Sequence, residues 1–127
     1  MSSSDHAPEP KRFEPKVPVN LNPPKDDPIS TEYLAKCDGN SSAYPTYVAI
    51  KGKVFDVTGN PAYAPKGAYH AFAGKDASRA LALSSLKPED IRSDWSDLGS
   101  TEQGVLNDWM TFFSKRYNIV GVVQPRA

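Results

Sequence analysis

The sequence predicts an α+β domain in which several helices lie against a small sheet, and three stretches predict it. "TYVAIKGKVFDVT" holds two runs rich in β-branched and aromatic residues, split by Lys51 and Gly52, which reads as a hairpin. "STEQGVLNDWMTFFSKRY" repeats its apolar residues at helical spacing, and "YNIVGVV" returns to β texture near the end. A chain of 127 residues has room for one such domain and a tail.

Residues 1–28 carry seven of the twelve prolines, with only Phe13, Val17, Val19 and Leu21 as sizeable apolar groups. That is too little to offset the entropy of ordering, so they read as a disordered or extended tail. Its later part, "VPVNLNPP", is suited to lie extended along the domain surface. The domain is expected over residues 29–123, with 124–127 as a frayed C-terminal end. "ISTEYLAKCDG" offers Ser30 or Thr31 as an N-cap, one or two helical turns, and a stop at Asp38-Gly39. In the hairpin that follows, Gly52 can supply the positive φ of a tight turn.

Next comes "GNPAYAPKGAYHAFAGKDASRALA", a loop of small residues, glycine and proline that nevertheless holds two large phenols, Tyr63 and Tyr69. A loop with so little bulk leaves room for something flat. Asp76 is placed to cap a helix through "ASRALALSSL", with Ala80, Leu81 and Leu83 to Leu86 on its buried side. "KPEDI" suits another helix start, since Pro88 fits the first helical position and Glu89 and Asp90 fit the positive end of the dipole. The last helix shows a Ser100 to Gln103 capping box and Val105, Leu106, Trp109, Phe112 and Phe113 on one face. A pocket between helices and sheet is the expected site.

Fifteen basic and fifteen acidic residues cancel, which removes the general attraction that a nucleic-acid or polybasic membrane binder relies on. The single cysteine, Cys37, has no intramolecular disulfide partner, and the polar start lacks the pattern of a secretory signal. Ser2 excludes N-myristoylation, and no apolar run approaches the roughly 18 residues that span a bilayer, so a soluble intracellular protein is expected. No nucleophile–base pair, metal cluster or phosphate-binding glycine loop stands out, so an enzyme is not expected. Residues 87–108 set six acidic groups against Lys87 and Arg92, a solvated face that would also steer a basic partner.

"YVAIKGKVFDVT", "FAGKDASRALA" and "DWMTFFSKRYNIVG" together closely resemble the cytochrome b5-like haem/steroid-binding domain, in its membrane-associated progesterone receptor branch with the fungal damage-response members. The resemblance runs from about Ile29 to Val123. It implies a cytochrome b5-like fold, a small mixed sheet with helices forming a pocket for haem b, and iron bound by a tyrosine. It also implies action on sterol-synthesising or drug-oxidising haem-thiolate monooxygenases, and self-association through the exposed haem face.

Carried onto this chain, Tyr69 matches the iron-binding tyrosine and Tyr63 the tyrosine that hydrogen-bonds it. Arg116 and Tyr117 match a Lys-Tyr pair at the haem edge, with arginine where lysine usually stands; arginine can pair a propionate in bidentate fashion. The His-Pro-Gly-Gly motif of true cytochromes b5 is replaced by "APKGAYHAF", and the only histidines are His6 and His70. Bis-histidine ligation is therefore not available within the domain, which argues against a fast electron carrier. The membrane anchor common in the branch is replaced here by the proline-rich tail, so the expected location is cytoplasmic or peripheral at the endoplasmic reticulum.

Each assignment has a plainer alternative. Tyr63 and Tyr69 can be packing tyrosines, Arg116 a solvated helix end, Cys37 a small hydrophobe rather than a thiolate ligand, and Asp76, Arg79 and Gly74 a cap, a surface charge and a turn. His70 is a second candidate ligand, although neighbouring side chains point different ways in any regular backbone. The same pocket would also serve a haem-free sterol-binding or protein-interaction module.

Overall fold

The computed structural model describes residues 21–124; His6, most of the expected tail and the last three residues of the expected C-terminal end lie outside them. In chain order it has β1 (Pro28–Ser30), α1 (Thr31–Lys36), β2 (Tyr47–Ile50), β3 (Lys53–Asp56), α2 (Ser78–Ala82), α3 (Ser100–Ser114) and β4 (Ile119–Gln124). Short 3-10 turns occur at Pro61–Tyr63, His70–Phe72 and Pro88–Asp90. The sheet order is β1-β4-β3-β2, with β4 antiparallel to β3 and parallel to β1, so the sheet is mixed.

The hairpin forms where the sequence places it. Lys51 and Gly52 both have positive φ, 51° and 79°, the backbone twist that matches two right-twisted strands. Alternation along the hairpin sends Val48, Ile50, Phe55 and Val57 to one face and Ala49 and Val54 to the other. The first face is covered by α2 and α3 through Ala80, Leu81, Leu106, Trp109 and Phe113. The second is covered by Ile29 and Leu34 from β1 and α1. Both faces are buried, which is why the strands read as nearly continuous apolar runs.

Residues leading into β1 run beside β4. The amide of Asn22 donates to Asn118 Oδ1 at 2.8 Å, that of Lys25 to the Ile119 carbonyl at 3.0 Å, and that of Val122 to the Asp27 carbonyl at 2.8 Å. A Cβ on Gly121 would stand 2.4 Å from the Asp27 carbonyl oxygen, so only glycine permits this approach. The outer edge of β2 is closed as well: Ala49 exchanges backbone hydrogen bonds with Lys75 and Ala77.

Three local expectations need correction. The helix expected through "ASRALALSSL" ends at Ala82, because Ser84 adopts a left-handed φ of 53° and the amides of Ser84 and Ser85 return to the carbonyls of Leu81 and Ala80. That is a Schellman closure with serine in the usual glycine position. The helix expected from "KPEDI" is only the turn Pro88–Asp90, whose end is fixed when Ile91 donates back to the Pro88 carbonyl. The Ser100–Gln103 capping box does not form: Gly99 is the flanking residue, and Gln103 Nε2 instead donates to the Leu98 carbonyl at 2.8 Å.

Candidate functional site

The loop that follows the hairpin is organised by Asn60. Its Oδ1 accepts from the Ala62 amide at 2.9 Å, capping the turn Pro61–Tyr63, and Pro61 occupies the position where a missing N–H costs nothing. The Tyr69 amide then donates to the Ala62 carbonyl at 2.8 Å, folding the second phenol back beside the first. Gly67 makes this close return possible, since a Cβ there would meet the Ala62 oxygen at 2.2 Å.

The result is a chain of aromatic contacts. The Tyr63 and Tyr69 rings lie 6.0 Å apart with planes tilted by 43°, and Tyr69 stacks on Phe72 at 5.8 Å and 10°. Tyr63 meets Phe113 of α3 at 6.3 Å, and Phe113 meets Tyr117 at 5.1 Å. The Tyr117 oxygen accepts from Asn60 Nδ2 at 2.6 Å, closing the set. Arg116, also predicted for this site, lays its guanidinium 3.8 Å over the Phe112 ring beside Phe113.

Burial raises the pKa of all three phenols. The effect is large at Tyr63, which is 5 % exposed and also feels Tyr117 and Tyr69. At Tyr69 burial acts alone, and at Tyr117 it is partly offset by the Asn60 hydrogen bond and by Arg116. Neutral phenols are thus the resting state at neutral pH. Among the described residues, no hydrogen bond links Tyr63 to Tyr69, and neither phenol oxygen has a protein partner. The donor set is therefore three phenol oxygens and a guanidinium around aromatic faces. Hard oxygen donors suit a ferric ion, the guanidinium suits carboxylates, and the rings suit a flat apolar ligand, so these residues fit a ferric tetrapyrrole.

The other candidates fall elsewhere. His70 lines a separate cavity of about 210 Å³ with Asp38, Asn40 and Lys75, and its Nε2 is buried without a partner among the described residues. Cys37 is fully buried at the end of α1, and burial pushes its thiol up, which favours the small-hydrophobe reading. Gly74 turns the chain at φ 77° against Asp38. Arg79 pairs with Asp97 at 2.8 Å and Asp94 at 3.3 Å, so two carboxylates of the acidic stretch are paired on the domain itself. Asp76 is not the N-cap expected of it: Ala77 holds that position without a side-chain cap, and Asp76, one residue earlier, accepts from the Ser78 amide at 3.0 Å and with its other oxygen from the Gly52 amide at 3.1 Å. The sequence reading missed Asn60, although an asparagine before proline in a Gly-Asn-Pro turn is a legible capping signal.

Among the described residues no helix is long and apolar enough to cross a membrane. Residues 30–118 match the family described as Cytochrome b5-like Heme/Steroid binding domain. The chain is 42% identical over 114 residues to Membrane steroid-binding protein 1 of Oryza sativa subsp. japonica, covering 89% of this chain and 49% of the relative. It is 46% identical over 96 residues to Probable steroid-binding protein 3 of Arabidopsis thaliana, covering 75% of this chain and 96% of the relative. It is also 46% identical over 89 residues to the cytochrome P-450 regulator dap1 of Schizosaccharomyces pombe, covering 63% and 54%. The chain thus spans about half the length of several of its curated relatives. In fold it is similar to the solution structure of a putative steroid-binding protein from Arabidopsis, with TM-score 0.71 and 43% identity over 80% of this chain and 99% of that one. A hypothetical protein of Arabidopsis thaliana with a cytochrome b5 like fold aligns at TM-score 0.70 and 43% identity, covering 76% and 90%. This chain belongs to the cytochrome b5-like haem/steroid-binding family, in its membrane-associated progesterone receptor branch.

Proposed function

We propose that this protein binds haem b through Tyr69 as a tyrosinate, in a five-coordinate ferric site, and regulates or supplies haem to sterol-pathway haem-thiolate monooxygenases. The observation that carries the reading is the Tyr69 hydroxyl, without a protein partner among the described residues and held beside Tyr63 by the Asn60–Tyr69 loop. When bound, the ferric centre supplies the positive charge that stabilises a phenolate. Tyr63, whose ring centroid lies 6.0 Å from that of Tyr69, would donate to that phenolate. Arg116 and Tyr117, at the end of α3, would hold the carboxylate edge.

Single ligation is supported by His70 lining a different cavity from the phenol cluster. An anionic oxygen ligand favours ferric over ferrous iron and lowers the reduction potential, which suits a regulator or carrier better than an electron shuttle or an enzyme. The regulatory role draws on the fission-yeast relative, whose name describes a cytochrome P-450 regulator. Residence in the cytoplasm or peripherally at the endoplasmic reticulum, and pairing through an exposed haem face, belong to the same reading; sedimentation with and without haem tests the pairing.

A second reading is a haem-free steroid-binding or interaction module, favoured by the relatives named as steroid-binding proteins and by the same apolar aromatic face. A visible spectrum of the purified protein titrated with haemin separates the two. A tyrosinate-to-iron charge-transfer band supports the first reading; no uptake, with a steroid perturbing the tyrosine fluorescence instead, supports the second.

A further inference from the structure

Asn60 lies between the turn that carries Tyr63 and the hydroxyl of Tyr117. Its Oδ1 accepts from the Ala62 amide at 2.9 Å, and its Nδ2 lies 2.6 Å from the Tyr117 oxygen. A backbone N–H can only donate, so Ala62 fixes which end of the carboxamide faces it. Turning the carboxamide over would set its NH₂ against that N–H, two donors face to face. Nδ2 has no acceptor capacity, so at Tyr117 it donates and the phenol oxygen accepts. The proton of the Tyr117 hydroxyl is thereby left for another partner. Among the described residues, no group accepts it. Burial keeps that proton on the oxygen at neutral pH, and the ring packs on Phe113, the same residue that meets Tyr63.

We propose that Asn60 is a positioning residue of this site: by donating to the Tyr117 oxygen it directs the Tyr117 hydroxyl as a hydrogen-bond donor to an acceptor oxygen of the bound ligand. That the ligand is haem, with propionate carboxylates as the acceptors, rests on the reading above. Asn60 acts through Tyr117 and sets the polarity of that contact: the site takes a ligand with an acceptor at this edge and disfavours one with a donor there.

Asn60→Asp tests this with an almost isosteric change. The carboxylate still accepts from Ala62, but its second oxygen also accepts, so Tyr117 must now donate to it and is lost to the ligand. Ultraviolet resonance Raman of the haem-free protein reads the polarity directly. The intensity ratio of the tyrosine Fermi doublet is high for a phenol that accepts and low for one that donates to a carboxylate, and subtracting the Tyr117→Phe spectrum isolates Tyr117. The expected ratio is high in the wild type and low in Asn60→Asp. In haemin titrations Asn60→Asp should weaken binding about tenfold or more with the tyrosinate band retained. In a Tyr117→Phe background the same substitution should cost only a few-fold, from through-space charge. A low ratio in the wild type overturns the proposal, as does an equal loss with and without the Tyr117 hydroxyl. If the wild type takes up no haemin while the Raman signature behaves as expected, the haem reading falls and the role of Asn60 stands.

Discussion

The backbone amide of Tyr69 donates to the carbonyl of Ala62 at 2.8 Å, so the two phenols of the loop are brought together by main chain rather than by their own hydroxyls. Their ring centroids stand 6.0 Å apart without a hydrogen bond between them. Removing one oxygen therefore leaves the other ring in place, which makes single substitutions at this pair informative.

Tyr69→Phe keeps the stack on Phe72 and deletes only the oxygen. It should abolish the tyrosinate-to-iron band and greatly weaken haem binding, with far-ultraviolet circular dichroism unchanged. Tyr63→Phe should loosen haem and leave the band, because it removes support for the phenolate but not the phenolate itself. His70→Ala is the control that retains both. A wild-type spectrum and affinity in Tyr69→Phe, or loss of the band in His70→Ala, would move the ligand assignment to another residue.

Ferric haem uptake should strengthen as pH rises. Burial raises the Tyr69 pKa above its ordinary value of about 10, so the ligand-free phenol is protonated at neutral pH. Binding as phenolate then releases one proton, and each unit of pH below that raised pKa should increase the association constant by up to about tenfold. Titrations between mildly acidic and mildly alkaline buffers check this, and Tyr69→Phe should flatten the dependence.

Arg116→Ala should weaken haem binding by on the order of 1 kcal/mol, about fivefold, through loss of a charge-assisted pair at a partly exposed position. The iron spectrum should stay unchanged. An unaltered affinity would leave Arg116 as a helix-end cation resting on the Phe112 ring.

Asp76 joins the hairpin turn to α2, accepting from the Gly52 amide at 3.1 Å and from the Ser78 amide at 3.0 Å. Asp76→Ala leaves these part-buried donors without an acceptor and should lower stability by about 2 kcal/mol in denaturant unfolding. Asp76→Asn, which keeps one acceptor oxygen, should cost less. Haem spectra of both variants should match the wild type.

Deleting residues 1–20 should leave the domain folded and its haem uptake intact, since none of the assigned site residues lies there. Deleting through Ser30 is different: it removes the partner strand of β4 and Ile29, which is 9% exposed against Leu34 and Val54. Burial of that one side chain is worth roughly 2 kcal/mol, so thermal unfolding should move down clearly for the longer deletion only. Loss of haem uptake in the shorter deletion would show that the tail closes the site.

The sequence by itself determined the elements whose signals are short-range. The alternation through Val48, Ala49, Ile50, Val54 and Phe55, broken at Lys51-Gly52, determined the hairpin, because a side-chain period of two and a positive φ are set by immediate neighbours. The apolar face of α3 and the texture of β4 were legible for the same reason, and so were the two phenols as an anomaly in a loop of small residues. Only the tertiary structure decided what those elements meet. It ended α2 at Ala82 through the left-handed turn at Ser84, sent Gln103 to Leu98 instead of into a capping box, and laid β1 parallel to β4 with Pro28 against Val122. It also closed the candidate site with a hydrogen bond between Asn60 and Tyr117, 57 positions apart. Propensity and period report on about one turn or one strand of chain, whereas the free energy of such a contact depends on which surfaces packing has already brought together.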